Sequence, residues 1–181
     1  MSWLNIKTEF SFGAVFGPID SIIEVLKEQM AVSAGICDID GTFGFVQWDK
    51  KCKAADIKPI FGVSLPVVPD ITVRDRRGPM CRMSFIAKTD HGLRQLYWLT
   101  EQAHNNFYYQ PRISPVHVNQ LDKEDVVVLS GPAPDLFRYM IKRPVLLQLS
   151  PDLPLAVRHY DLADVACIDN WYPRADDKKV Y

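Results

Sequence analysis

The chain has 181 residues, 22 acidic against 21 basic side chains, and a net charge of −1. With 48% hydrophobic and 24% charged residues it reads as one soluble globular domain, residues 1–181, large enough for a substantial core. The charge balance argues against strong nucleic-acid binding by the chain itself, and no apolar run approaches the ~20 residues a membrane helix needs. The opening MSWLNIKTEF lacks a basic-then-apolar signal pattern, so a cytoplasmic protein is expected.

Leu4 to Lys7 is expected to form a first short strand. Gly17-Pro18 opens a helix with proline at its first position, Asp20 in its first turn and an apolar face of Ile19, Ile22, Ile23, Leu26 and Met30. From Gly35 to Ser64 the pattern is strand, tight turn, helix, strand. Gly35 to Ile39 is apolar, and Asp40-Gly41 supplies the turn because glycine accepts a positive φ. Thr42 is placed to cap a helix whose apolar residues Phe45, Val46, Cys52 and Ala55 recur at near-helical spacing. Lys58-Pro59 ends it, and Ile60 to Leu65 is the next strand. Two strands joined by a helical crossover make a parallel βαβ unit. Chemistry in such units sits at the carboxyl ends of the strands, which here means Asp38, Ile39, Asp40 and Ser64.

Pro66, Pro69 and the run Arg74 to Pro79 mark a loop or frayed hairpin. Met83 to Ala87 reads as a strand, and Asp90 to Ala103 as an amphipathic helix carrying Leu93, Leu96, Tyr97 and Leu99. Ser114-Pro115 starts a short helix ending near Leu121, and Val126 to Leu129 is a buried strand by composition. A helix over Pro134 to Lys142 and strands over Val145 to Leu149 and Val165 to Ile168 complete an α/β pattern with a parallel sheet or barrel. Cys37, Cys52, Cys81 and Cys167 form no CxxC pair and read as reduced core residues. Arg74, Arg76 and Arg77, split by Asp75, read as a solvated loop first and a nucleic-acid contact second. His91, His104, His117 and His159 read as surface residues.

The turn Asp38-Ile39-Asp40-Gly41-Thr42 looks like the first motif of haloacid-dehalogenase-type phosphatases. There one aspartate attacks phosphorus, and a second, two residues on, shuttles the proton. Ser130, Lys142 and Asp176-Asp177 would be the remaining parts. The plainer alternative is a simple turn after a polar strand end.

A longer pattern covers more of the chain. Its closest part is Lys50-Lys51-Cys52-Lys53-Ala54-Ala55-Asp56-Ile57-Lys58-Pro59-Ile60-Phe61-Gly62-Val63, within Ile36 to Val63. Thr8-Glu9-Phe10-Ser11, Phe85 to Lys88, Gly92 to Leu96, Phe107 to Ile113, Val126 to Gly131 and Ala166 to Tyr172 accompany it in collinear order. Together these resemble the PHP (polymerase and histidinol phosphatase) domain that opens the alpha subunit of bacterial C-family DNA polymerase III. The resemblance implies a distorted (βα)7 PHP-type barrel, shortened between Gly131 and Val165.

It also implies where a metal cluster would sit. The opening His-x-His pair falls on Asn5 and Lys7, and the nearby acidic ligand on Ala14. The later ligands fall on Ile39, Ser64, the neighbourhood of Arg82, and Pro132. In the closing motif Asp169 is kept, while Trp171 replaces a histidine and is expected to fill the vacated room. Lys7 and Arg82 are expected to pair with Asp169 and Asp38. No metal or other cofactor is therefore expected, and no catalytic residue.

What the resemblance implies is a catalytically inactive domain serving as structural support or docking module in DNA replication. Its partners would be a polymerase or proofreading exonuclease subunit, and any parent protein a DNA-directed DNA polymerase. The chain would be either a piece of such a polymerase or a free-standing relative of the kind a compact viral genome encodes. Phe107, Tyr108, Tyr109 and Arg112 form the candidate interface, with bracing of the barrel as the alternative role for their loop. The competing functions are the haloacid-dehalogenase-like phosphatase using Asp38 and Asp40, and a PHP phosphoesterase with an altered ligand set.

Overall fold

Five strands form one sheet in the order β1-β2-β3-β4-β5: β1 (Ser2–Ile6), β2 (Ser33–Ile39), β3 (Lys58–Val67), β4 (Cys81–Ala87) and β5 (Val126–Leu129). Among the described residues four helices accompany them: α1 (Ile19–Glu28), α2 (Phe45–Ala54), α3 (Asp90–Asn105) and α4 (Pro115–Gln120). A separate parallel pair joins β6 (Gln148–Leu149) to β7 (Val165–Ala166). The computed structural model describes residues 2–130, 140–142, 144–145, 148–149, 165–166 and 173. The helix expected over Pro134 to Lys142 lies mostly outside them, as do Cys167 and His159.

The first three strands are parallel, as the βαβ reading requires, with Ile39 paired to Ser64 across β2 and β3. The sheet then departs from the parallel expectation. β4 runs antiparallel to β3, pairing Ser64 with Ser84, and β5 runs antiparallel to β4. The link from Val67 to Cys81 holds turns but no α-helix, so the chain folds straight back instead of crossing over the sheet.

Helix α1 buries Ile19, Ile22, Ile23 and Leu26. Met30, expected on that face, lies beyond the helix end and is 83% exposed. Pro18 is the residue before the helix, not its first, and the Glu9 carboxylate accepts the Ile19 N–H at 3.0 Å. That pairing satisfies one of the free amide donors at the helix start. Helix α2 begins after Gly44 rather than under a Thr42 side-chain cap; Thr42 supplies only its carbonyl, to the Phe45 N–H. Of the apolar positions in α2, Phe45 and Cys52 are buried and Val46 is exposed. Trp48, absent from the expected face, is fully buried and donates its indole N–H to the Ala34 carbonyl at 3.2 Å. This contact fastens α2 onto β2.

Helix α3 is capped by Thr89, whose hydroxyl accepts the Gly92 N–H at 3.0 Å. Leu96, Leu99 and Ala103 pack inward, while Tyr97 is half-exposed. His117 closes the start of α4, its Nδ1 accepting the Ser114 N–H at 3.2 Å. Cys37, Cys52 and Cys81 are buried and form no disulfide, as expected for core thiols.

Among the described residues Trp48 is the largest fully buried side chain, so removing its ring opens a cavity at the joint between helix and sheet. Trp48→Ala is expected to destabilise the chain by about 3–5 kcal/mol. Urea unfolding followed by circular dichroism measures it; a loss under about 1 kcal/mol, in the range of surface changes, contradicts this placement.

Candidate functional site

The carboxyl ends of β1 and β2 bring Thr8, Ser11, Asp38 and Asp40 to one edge of the sheet, with Ser64 of β3 and Arg82 of β4 alongside. Asp38, the sixth residue of β2, is wholly buried. Its carboxylate accepts three hydrogen bonds: from Thr8 N at 2.6 Å, from Thr8 Oγ1 at 2.7 Å and from Ser11 Oγ at 2.7 Å. Ser11 Oγ in turn accepts the Ile39 N–H at 3.0 Å, and Thr8 Oγ1 the Phe10 N–H at 3.2 Å. The segment after β1 is thereby wrapped around one carboxylate. Gly44 lets α2 start against it, since a Cβ there would lie 2.9 Å from Asp38 Oδ2 and 2.8 Å from Ile36 Cδ1.

Burial pushes the Asp38 pKa above its ordinary value, and the Thr8 amide, the two hydroxyls and the Lys7 charge oppose the rise without cancelling it. Asp40 is arranged differently. It holds a left-handed φ of 63°, so the turn's strained residue is the aspartate and not Gly41 as expected. Its N–H is donated to the Ser64 carbonyl at 3.0 Å. Its carboxylate pairs with Arg82 at 2.6 Å, both side chains being about three-quarters buried, and Arg82 also donates to the Ser64 carbonyl at 2.9 Å. Arg82 thus meets Asp40 and not the expected Asp38, while Asp169 lies outside the described residues. Asp38 is enclosed by Thr8 and Ser11, whereas Asp40, two residues on, meets the β4 guanidinium.

Asn5 and Lys7 also engage each other. The Lys7 ammonium, buried with 5% exposure, donates to Asn5 Oδ1 at 2.7 Å, and Ser84 Oγ donates to the same oxygen at 2.9 Å. Asn5 itself has φ 66°. Ala14 lies in the turn after β1, its N–H donated to the Ser11 carbonyl. Ile39 is half-buried, and Ser64 is buried. Pro132, Asp169 and Trp171 lie outside the described residues. So do Asp176 and Asp177 of the phosphatase reading. Ser130 is buried at the end of β5, and the Lys142 backbone N–H is donated to Asn119 Oδ1.

The roles of Thr8 and Ser11 were missed in the sequence. The signal was there in Thr8-Glu9-Phe10-Ser11, three hydrogen-bonding side chains in four residues just after a strand. His91 and His104 are exposed, His91 pairing with Asp125 at 2.7 Å and His104 meeting the Asp40 carbonyl at 2.8 Å. Among the described residues no group of three or more His, Cys, Asp or Glu side chains is placed to hold a metal ion.

The aromatic loop divides in two. Phe107 and Tyr109 are 59% and 65% exposed, whereas Arg112 is buried and serves as a brace. Its guanidinium donates to the carbonyls of Asn106, Val73 and Ile71 at 3.1, 2.8 and 2.8 Å and lies over the Tyr108 ring at 4.9 Å. Arg112 is therefore not a group free to meet a partner.

A family model for the PHP domain matches residues 4–150. The chain belongs to the PHP domain family. It is 31% identical over 124 residues to the DNA polymerase III subunit alpha of Aquifex aeolicus, covering 61% of this chain. The corresponding subunits of Borreliella burgdorferi and Chlamydia trachomatis serovar D are 27% and 28% identical over 128 and 130 residues, each covering 68% of this chain. The chain spans about a tenth (10%) of the length of these relatives. Among solved structures, a candidate metal-dependent phosphoesterase from Bifidobacterium adolescentis superposes with a TM-score of 0.58. That match has 12% identity and covers 90% of this chain and 82% of the other, so it speaks to the fold alone.

The raised Asp38 pKa sets a pH dependence. Above the ordinary value of 3.8 the folded chain holds this proton more tightly than the unfolded chain. Asp38 therefore makes stability fall as pH rises through its raised pKa. Asp38→Asn removes the contribution, so unfolding midpoints in urea at a series of pH values should show the variant gaining on the parent as pH rises above 3.8. A variant that loses ground over that range would mean the ionised carboxylate is the favoured form.

Proposed function

We propose that this chain is a PHP domain without phosphoesterase chemistry, acting as structural support and protein-docking module for a replicative polymerase of the DNA polymerase III alpha type. The single observation that carries this is the engagement of both turn carboxylates by protein groups. Asp38 is wrapped by Thr8 and Ser11, and Asp40 is held by Arg82.

The positions that the family resemblance assigns to a metal cluster do not fit one. Such a cluster needs several histidine or carboxylate donors facing a common point. Ile39 and Ala14 have no donor side chain. Lys7 and Arg82 bring positive charge, and the Asn5 oxygen is occupied by the Lys7 ammonium and the Ser84 hydroxyl. An incoming divalent ion would have to displace these groups one by one. On this reading the site is a degenerate descendant whose ion pair and hydrogen bonds stand where ligand bonds would.

The same geometry weighs against the phosphatase alternative. A nucleophilic carboxylate must reach phosphorus, yet Asp38 has no exposed surface. Asp40, as acid–base partner, would have to leave the Arg82 guanidinium. The finer reading of the architecture is a shortened, distorted (βα)7 barrel in the cytoplasm, with the polymerase or its proofreading exonuclease as partner. Its support is the family membership together with the parallel β1–β2–β3 core.

The test is turnover. Purified without chelator and supplied with manganese or zinc, the full chain should hydrolyse neither a phosphomonoester nor single-stranded DNA faster than Asp38→Asn does. Metal-dependent hydrolysis that Asp38→Asn abolishes would overturn the proposal and restore an enzyme.

A further inference from the structure

Two loops meet around the buried Arg112. One runs from Val68 to Met80, between β3 and β4, and the other from Asn106 to Ile113, after α3. Arg112 joins them, since its guanidinium grips the carbonyls of Ile71 and Val73 on the first loop while its own backbone belongs to the second. The Val68 N–H is also donated to the Ile113 carbonyl at 2.8 Å. Gln110 reaches Met80, with Nε2 2.7 Å from Sδ. The two loops are therefore one braced surface.

That surface combines exposed apolar groups with guanidinium groups. Val73, Met80, Phe107 and Tyr109 are 55%, 42%, 59% and 65% exposed. Arg74, Arg76 and Arg77 are exposed on the first loop, and none makes an ion pair among the described residues. The two nearby carboxylates are occupied by their own loop. Asp70 accepts the Thr72 N–H and hydroxyl at 2.8 and 2.7 Å, and Asp75 accepts the Arg77 N–H at 2.8 Å. A cleft of about 210 Å³ opens beside these groups, its lining including Val68, Pro69, Val73, Pro79 and Arg112 together with the two carboxylates Asp70 and Asp75. It is below the volume of small-molecule sites and suits one apolar side chain.

We infer that this braced surface docks an acidic peptide segment of a protein partner, with an apolar anchor in the cleft and flanking carboxylates on Arg74, Arg76 and Arg77. The inference rests on the docking role proposed above and names the chemistry of its partner. Charge complementarity points to an acidic ligand, and the ring contacts favour carboxylates over stacked nucleic-acid bases. The Arg76 guanidinium already lies 4.9 Å above the Tyr109 ring, Arg112 covers Tyr108, and the two tyrosine rings meet edge to face at 4.8 Å. A base would have to displace those guanidinium groups to stack. A guanidinium stacked on a ring instead keeps its N–H edge directed outward for a carboxylate, pre-ordered at low entropic cost. Tyr109 is held in place by a left-handed backbone, φ 62°, that a bulky residue rarely adopts.

The experiment is fluorescence anisotropy of the full chain with three labelled probes: a peptide of repeating Glu-Glu-Phe, one of repeating Lys-Lys-Phe, and oligothymidylate. The acidic peptide should bind, and weaken on adding salt. Arg76→Glu with Arg77→Glu should weaken it at least about tenfold, while unfolding midpoints hold, since both side chains are exposed. The same variant should gain affinity for the basic peptide. No binding of the acidic peptide, binding indifferent to the charge reversal, or tighter binding of oligothymidylate would each overturn the inference. None of these outcomes bears on turnover, so the loss of this docking chemistry and the discovery of an active enzyme remain separate results.

Discussion

One buried carboxylate organises the candidate site. Asp38 has no access to water and depends on Thr8 and Ser11 for its hydrogen bonds. Burying a carboxylic acid without partners is costly, and the segment after β1 supplies them by wrapping around the end of β2. The rest follows from that wrap. Ser11 relays the order to the Ile39 amide, Glu9 in the same segment receives the first N–H of α1, and Gly44 brings α2 close. A side chain that could have faced substrate is instead the point where strand, loop and helix are tied.

The neighbouring ion pair does for β4 what Asp38 does for β1. Arg82 crosses from the antiparallel strand to the Asp40 turn and the Ser64 carbonyl, joining three elements by one guanidinium. Truncating either partner would strand a charge with about a quarter of its surface in water, which costs more than the pair itself contributes. The buried charges and the carboxylate at this edge are thus parts of one arrangement. Once Arg82 and Lys7 are buried among these groups, the carboxylates must stay to meet them.

Much of the fold was legible because local pattern and burial agree there. The apolar run of β2, the tight turn and the crossover to β3 make a parallel unit whose period and length leave little choice. The reversal at β4 was legible only in part, since the loop or frayed hairpin read over Pro66 to Pro79 allows it while the sheet as a whole reads as parallel. A strand of the same composition pairs either way, and only the helix-free link before it decides the direction. Trp48 was missed because lysines and an aspartate surround it, although one ring is enough to fasten a helix. At the site, substitution at the ligand positions could be read from the resemblance alone. What those side chains do instead could not, since Arg82 meets Asp40 through register, and Arg112 is buried by carbonyls distant in sequence. An arginine beside exposed aromatics reads as an interface residue until the backbone it grips is seen.

The central claim is that protein groups hold the Asp38 and Asp40 carboxylates and keep divalent ions out. Anomalous diffraction from crystals soaked in manganese tests it most directly. The account predicts no anomalous density within bonding distance of either carboxylate, with Thr8, Ser11 and Arg82 still in place. A manganese peak on Asp38 or Asp40, with the Thr8–Ser11 segment drawn aside, would contradict it.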